Sequence, residues 1–233
     1  MKSSKEQLEK RGFLPKEFNT DSYDLSFNEK LELLKSKIPT ERTLGVRLLK
    51  NEIDTKKVID GLIKTLIFEK KLYPKIEISK LLVACGKQSV KPLIGILGKI
   101  GANQHQIIPE KEFKKDNYPL PRDIASRILA HIGKIALSGL LNNLEKLDVK
   151  QLSEAIDAIG FICFYYYCPY TYEVLKKCYL QNSENKLIKW KIIRAFSGFP
   201  ESERFLDTEK KNLQNARLLK EIERSILLIK KRN

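Results

Sequence analysis

Three polar residues stand where the surrounding pattern calls for apolar or small ones. Counted back from the glycine that follows each apolar segment, His131 lies two before Gly133, Asp157 three before Gly160 and Arg194 four before Gly198. The matching positions elsewhere hold Ala84, Ala158 and Phe196 for the histidine, Val83, Ala130 and Ala195 for the aspartate, and Leu82, Leu129 and Ile156 for the arginine. If the helices that carry them stack, an imidazole, a carboxylate and a guanidinium fall into one row. Trp190 lies one turn before Arg194 on the same face. Two readings fit. In one, Asp157 and Arg194 form an ion pair between neighbouring helices and His131 is a satisfied core histidine. In the other, the four residues line a binding or catalytic pocket.

A second set is cationic. Arg42 and Arg47, Lys75 and Lys80, and Arg122 and Arg127 share one i, i+5 spacing at equivalent places in a repeated pattern. Stacked helices would turn them into basic ridges able to take phosphates or an acidic partner. Against this, the chain has 34 Lys and 10 Arg. Specific phosphate recognition favours arginine forks, so much of that lysine charge reads as a solvated face. The aromatic run from Phe161 to Tyr172 has no basic residue within it. That composition fits the filling of a junction between helix pairs, with tyrosine hydroxyls at water, better than a platform for bases.

The elements that must position these residues are written as a repeat. Pro74 to Lys87 recurs as Pro121 to Lys134 at an offset of 47, and Leu93, Ile94 and Leu97 match Leu140, Leu141 and Leu144. Each copy is two helices long. Proline is expected to open each first helix and glycine to close it, and Ile78, Leu81, Leu82 and Cys85 draw a helical stripe between them. Weaker copies run from Leu152 to Gly160 and from Ile188 to Gly198, and a degenerate one from Glu41 to Leu49. Further stripes stand at Phe27, Leu31, Leu34 and Ile38 and at Leu219, Ile222, Ile226 and Ile229. With a unit of about 45 residues, the expectation is an all-α solenoid of about five helix pairs over residues 26–233, preceded by an arm at 1–25. Residues 101–120, with Pro109 and Pro119, fit no stripe and read as an inserted loop.

This pattern resembles HEAT repeats, on the strength of Pro74 to Leu97 and Pro121 to Leu144. The resemblance extends over residues 26–231 and implies a right-handed stack of helix pairs. It departs from the family at the inter-repeat ladder of Asp and Arg, since the position eight before each glycine is Ile78, Ala125, Leu152 or Trp190. Alkylpurine DNA glycosylases built on HEAT-like repeats are also similar in being small, basic and helical. That second resemblance implies a base-excision role for Asp157, Arg194 and Trp190, with one tryptophan where the family uses several.

Composition bounds the rest. The chain has 233 residues, a formal charge of +15, 42% hydrophobic and 31% charged residues, and only 11 Gly and 9 Pro. It can bury a core, and it lacks the turn chemistry of a sandwich or barrel. No apolar segment follows Met1 to Gln7 as in a secretory signal, and the uncharged stretch from Ile159 to Tyr172 is too short to span a bilayer. Four cysteines without a paired framework are expected as reduced thiols in a cytoplasm. Two histidines and scattered cysteines give no metal-ligand spacing, and phosphate loops, nucleophile elbows and EF-hand loops are absent. The expectation is a non-enzymatic scaffold without metal or cofactor, binding a protein or another anionic macromolecule along the groove of its helices. Nucleic acid is the alternative partner, with no membrane and no small-molecule substrate expected.

Overall fold

A computed structural model describes residues 4–232. Among these residues the chain is all-helical, with thirteen α-helices and no strand. It divides into two compact units, 1–93 and 94–233.

The first unit holds α1 (Lys5–Glu9), α2 (Phe27–Leu33), α3 (Pro39–Leu48), α4 (Lys56–Phe68) and α5 (Leu72–Ala84), while α6 (Lys87–Gly95) runs across the division. Ser4 with Gln7 and Ser26 with Glu29 form capping boxes that satisfy the first amides of α1 and α2. α3 packs on α2 and α5, and α4 packs on α5. Leu44, Val46, Leu49, Val58, Leu62, Leu66, Ile78 and Leu82 are buried there, each burial worth about 2 kcal/mol. The arm of residues 1–25 is tied down where it is described. Arg47 donates to the carbonyls of Leu14 and Pro15 at 2.9 and 2.6 Å, and the Thr43 hydroxyl donates to the Gly12 carbonyl at 2.7 Å. Gly12 has φ +86° and approaches the Pro74 ring too closely for a Cβ.

The second unit holds α7 (Ile124–Ile132), α8 (Lys134–Leu141), α9 (Val149–Tyr166), α10 (Tyr170–Gln181), α11 (Lys186–Phe196), α12 (Glu203–Asn212) and α13 (Ala216–Arg232). α7, α9, α11 and α13 pack successively, α9 against α11 most extensively, and α8, α10 and α12 back them. Several expectations about helix ends need correcting. α2 ends at Leu33, so Ile38, read as part of its stripe, lies outside it and is exposed. α5 opens at Leu72, two residues before Pro74. α7 opens at Ile124, three residues past Pro121, because Asp123 caps it by accepting the Ser126 amide at 2.9 Å. Gly160 does not close a helix: α9 continues six residues beyond it to Tyr166. Gly133, in contrast, ends α7 with φ +75°, and Gly86 follows α5 with φ +54°.

The insert at 101–120 is non-helical, as expected. Its start is fixed to α7, where the Asp123 carboxylate accepts from Gln104 Nε2 at 2.9 Å. The aromatic run divides. Phe164 packs with Tyr118 and Leu228, and Tyr172 packs against Phe196 and Phe199, whereas Tyr165, Tyr166, Tyr167 and Tyr170 are exposed. All four cysteines are buried and unpaired. Among the described residues no helix is long and apolar enough to cross a membrane, and no three His, Cys, Asp or Glu side chains converge as metal ligands.

Candidate functional site

α9 is apolar from Leu152 to Ile162 except for Ser153, Glu154 and Asp157. Glu154 and Asp157, three residues apart, share one helix face, and α11 answers with Lys191 and Arg194 at the same spacing. Lys191 Nζ donates to Asp157 Oδ2 at 2.8 Å, Glu154 Oε1 at 2.9 Å and the Ser153 carbonyl at 3.1 Å, with all three side chains buried. Burial pushes the Glu154 carboxyl up to about 7. The Lys191 ammonium opposes that shift and the neighbouring Asp157 adds to it. Glu154 Oε2 has no hydrogen-bond partner among the described residues.

Arg194 turns the other way, to α13. Its Nε and Nη2 form a fork on the Glu221 carboxylate at 3.2 and 3.1 Å, and its guanidinium stacks 3.8 Å from the Trp190 ring centroid. Burial works against the Arg194 charge, but Glu221 outweighs it and holds its pKa above the usual value. The expected Asp157–Arg194 pair is therefore replaced by Asp157–Lys191 and Arg194–Glu221. His131 does not join the row either. It is exposed near the end of α7, with Phe161 as its aromatic neighbour at 6.2 Å.

The imidazole that enters the cluster is His105, carried by the insert. Its ring meets Trp190 edge-on at 5.2 Å, and its buried Nδ1 has no partner among the described residues. Burial lowers its pKa to about 4; Asp157 opposes the shift, and Arg122, Lys191 and Arg194 deepen it. Tyr118, at the other end of the insert, is also buried, and its hydroxyl is unpartnered among the described residues. Its ring end occupies the hollow that Gly160 leaves on α9: a Cβ there would stand 2.6 Å from Tyr118 Cζ and 2.9 Å from the Ala195 Cβ.

Between these anchors the insert runs as a strap, residues 108–117, along α13. Arg217 donates to the Ile108 carbonyl at 3.1 Å and lies 3.5 Å from Glu110. Lys220 binds Glu112 at 2.6 Å, and Lys231 binds Asp116 at 2.6 Å. Arg224 donates to the carbonyls of Lys115 and Asn117 at 3.1 and 2.7 Å and lies over the Phe113 ring at 5.1 Å. The Lys220 hydrogen bond holds the Glu112 carboxyl below the usual carboxylate range. A cavity of about 540 Å³ lies between the strap and α11 and α13, lined by Phe113, Trp190, Arg194, Arg224 and Leu227 among others.

The six cations expected to form ridges are placed differently from one another. Arg42 forks onto the buried Glu69 carboxylate at 2.6 and 2.9 Å and donates to the Ser36 carbonyl at 2.7 Å. Burial alone would raise the Glu69 pKa, but Arg42 and the Lys70 and Lys71 amides bring it below the usual range. Arg47 holds the arm, and Arg127 donates to the Pro121 carbonyl at 3.0 Å. Lys80, bonded to Glu77 at 3.0 Å, and Arg122 are exposed, and Lys75 is half-buried. Arg217 and Lys231 on α13, and Glu154, Lys191 and Glu221, escaped sequence reasoning. Two acids in the apolar stretch of α9 were the available signal.

No protein-family model matches the chain, and no curated protein is similar to it in sequence. Its chemistry is therefore read from geometry. Asp157 is buried and its Oδ2 is bound by the buried Lys191 ammonium. The accessible functional groups are the cations that surround the strap.

Proposed function

We propose that the protein is a non-catalytic binding module, a HEAT-like stack of about five helix pairs, that takes an anionic macromolecule on the face formed by α11 and α13. A protein is the favoured partner. One observation carries this reading: Arg217, Lys220, Arg224 and Lys231 stand on one helix beside a cavity, and each already holds an anionic or carbonyl group of the strap. Cations that served only solvation would have no need to meet carboxylates and carbonyls of one segment along the whole of α13. Exposed Arg122, in the same unit, adds to the positive field that steers such a partner. Base excision finds no supporting observation, because Asp157 is tied to Lys191.

The test is fluorescence anisotropy with labelled poly-L-glutamate and, in parallel, a labelled DNA duplex, titrated from about 50 to 200 mM salt. We expect a linear fall of log affinity with log salt, and a loss of about tenfold or more in R217E/K220E, since reversing two cations changes the charge that faces the polyanion by about four and lowers the number of its charges neutralised. Equal binding by the variant, or no binding of either polymer at low salt, would overturn the reading.

A further inference from the structure

We infer that the strap is a displaceable internal ligand: residues 108–117 occupy a peptide-binding face of α13, and the partner of that face is an extended acidic peptide that replaces them. This rests on the binding reading above and adds the chemistry of the partner and a gate.

The register is the first argument. Glu110 meets Arg217, Glu112 meets Lys220 and Asp116 meets Lys231, so strap and helix run in the same direction. Six strap residues at about 3.3 Å each cover about 20 Å, and fourteen helical residues at about 1.5 Å each cover about 21 Å. The span of the strap thus matches that of α13, although the chain bends at residues 110–111 and 115–117 on the way.

What is recognised is a peptide. Arg217 and Arg224 donate to three backbone carbonyls, those of Ile108, Lys115 and Asn117. Backbone carbonyls interspersed with side-chain carboxylates are a feature of polypeptide and not of a phosphodiester chain. The acids at i, i+2 and i+6 supply the charge, and Phe113 supplies an aromatic contact beneath Arg224.

The strap fits its seat incompletely. Its ends are held by the buried Ile108 and Tyr118, but the acids between them are 83%, 47% and 61% exposed at Glu110, Glu112 and Asp116. Ion pairs so open to water add little. The cavity beneath is left unfilled, Leu227 stays half-exposed beside it, and the buried Arg224 Nε has no partner among the described residues. An acidic peptide with a larger apolar side chain between its acids would fill that space and satisfy that donor.

The experiment uses the full chain and, as probe, a fluorescent peptide of the strap's own sequence, residues 106–118. In the wild type the tethered strap competes at high effective concentration, so the peptide binds weakly. Neutralising the tethered strap by E110Q/E112Q/D116N is expected to raise affinity about tenfold, because the fraction of vacant sites rises. Adding R217E/K220E is expected to remove that gain. Hydrogen exchange on the wild type supplies a readout free of mutation: saturating peptide speeds exchange at residues 109–117 and slows it along α13. If E110Q/E112Q/D116N binds the peptide no tighter and exchange in the strap does not change, the strap is a fixed part of the fold and the inference fails. Salt-dependent binding of poly-L-glutamate that R217E/K220E weakens would then still stand, which separates this failure from failure of the binding reading. A duplex that displaces the peptide, and that the peptide cannot displace, would overturn the assignment of a peptide partner.

Discussion

Replacing Glu154 by glutamine keeps the shape of the buried cluster and removes one titration. The folded carboxyl has its pKa raised to about 7 from an ordinary 4.5, first by burial. Below pH 4.5 both folded and unfolded chains hold the proton, and Glu154 makes no difference. As pH rises toward 7, the unfolded chain releases its proton while the folded one retains it, so stability is lost across that window and the loss is complete above it. A shift from 4.5 to about 7 corresponds to about 3 kcal/mol at the upper end. His105 acts in the opposite sense over nearly the same range. Its pKa falls to about 4 from 6.5, so the unfolded chain binds the extra proton and stability rises with pH. Within the cluster the two contributions therefore oppose one another. E154Q removes the falling one.

The quantity to measure is the stability of E154Q minus that of the wild type, from urea unfolding between about pH 4.5 and 8. Trp190 is the single tryptophan and sits beside the cluster, so its emission reports unfolding of the second unit alone. The difference is expected to climb by about 3 kcal/mol across the range in favour of the variant. A difference that stays flat with pH would show that Glu154 titrates no differently in the folded and unfolded chains and would refute the argument.

Gly160→Ala places a Cβ against Tyr118 and Ala195; it is expected to lower stability by about 1–3 kcal/mol and to speed hydrogen exchange at residues 115–119, while Tyr118→Phe alone is neutral because the hydroxyl it removes is buried and unpartnered. Arg42→Lys loses the fork on Glu69 and is expected to cost about 2 kcal/mol at neutral pH in a thermal melt. Since the Glu69 carboxyl is held below its usual range, that cost should fade as pH falls through the carboxylate region.

Helices were legible where apolar periodicity coincides with burial: Ile78, Leu81, Leu82 and Cys85 were read as one stripe and are all buried, whereas of Phe27, Leu31, Leu34 and Ile38 only Leu34 is. Glycine was legible only in part. At Gly133 the missing Cβ permits a positive φ and ends a helix, whereas at Gly160 it leaves room for the Tyr118 ring inside a continuing helix. The two uses leave the same letter in the sequence, and only the return of residue 118 to α9 tells them apart. The cluster was misassigned for a similar reason. Asp157 and Arg194 were found as exceptions to an apolar pattern, but their partners, Lys191 and Glu221, look in sequence like ordinary members of a highly charged chain.

Lysine and arginine are used differently in this chain. The arginines are largely bound within the chain: Arg42 to Glu69, Arg47 to the arm, Arg127 to Pro121, Arg194 to Glu221 and Arg232 over Phe164 at 4.2 Å. A planar fork that takes two acceptors at once suits fixed joints, and a lysine on a flexible stem does not. Most of the +15 is thus lysine charge spread over the surface, which raises encounter rates without choosing a partner. Selectivity has to come from a place where arginine forks face a chain that is able to leave. Arg217 and Arg224 on α13 face the strap, which is why the binding experiments are directed there and not at the lysine-rich remainder.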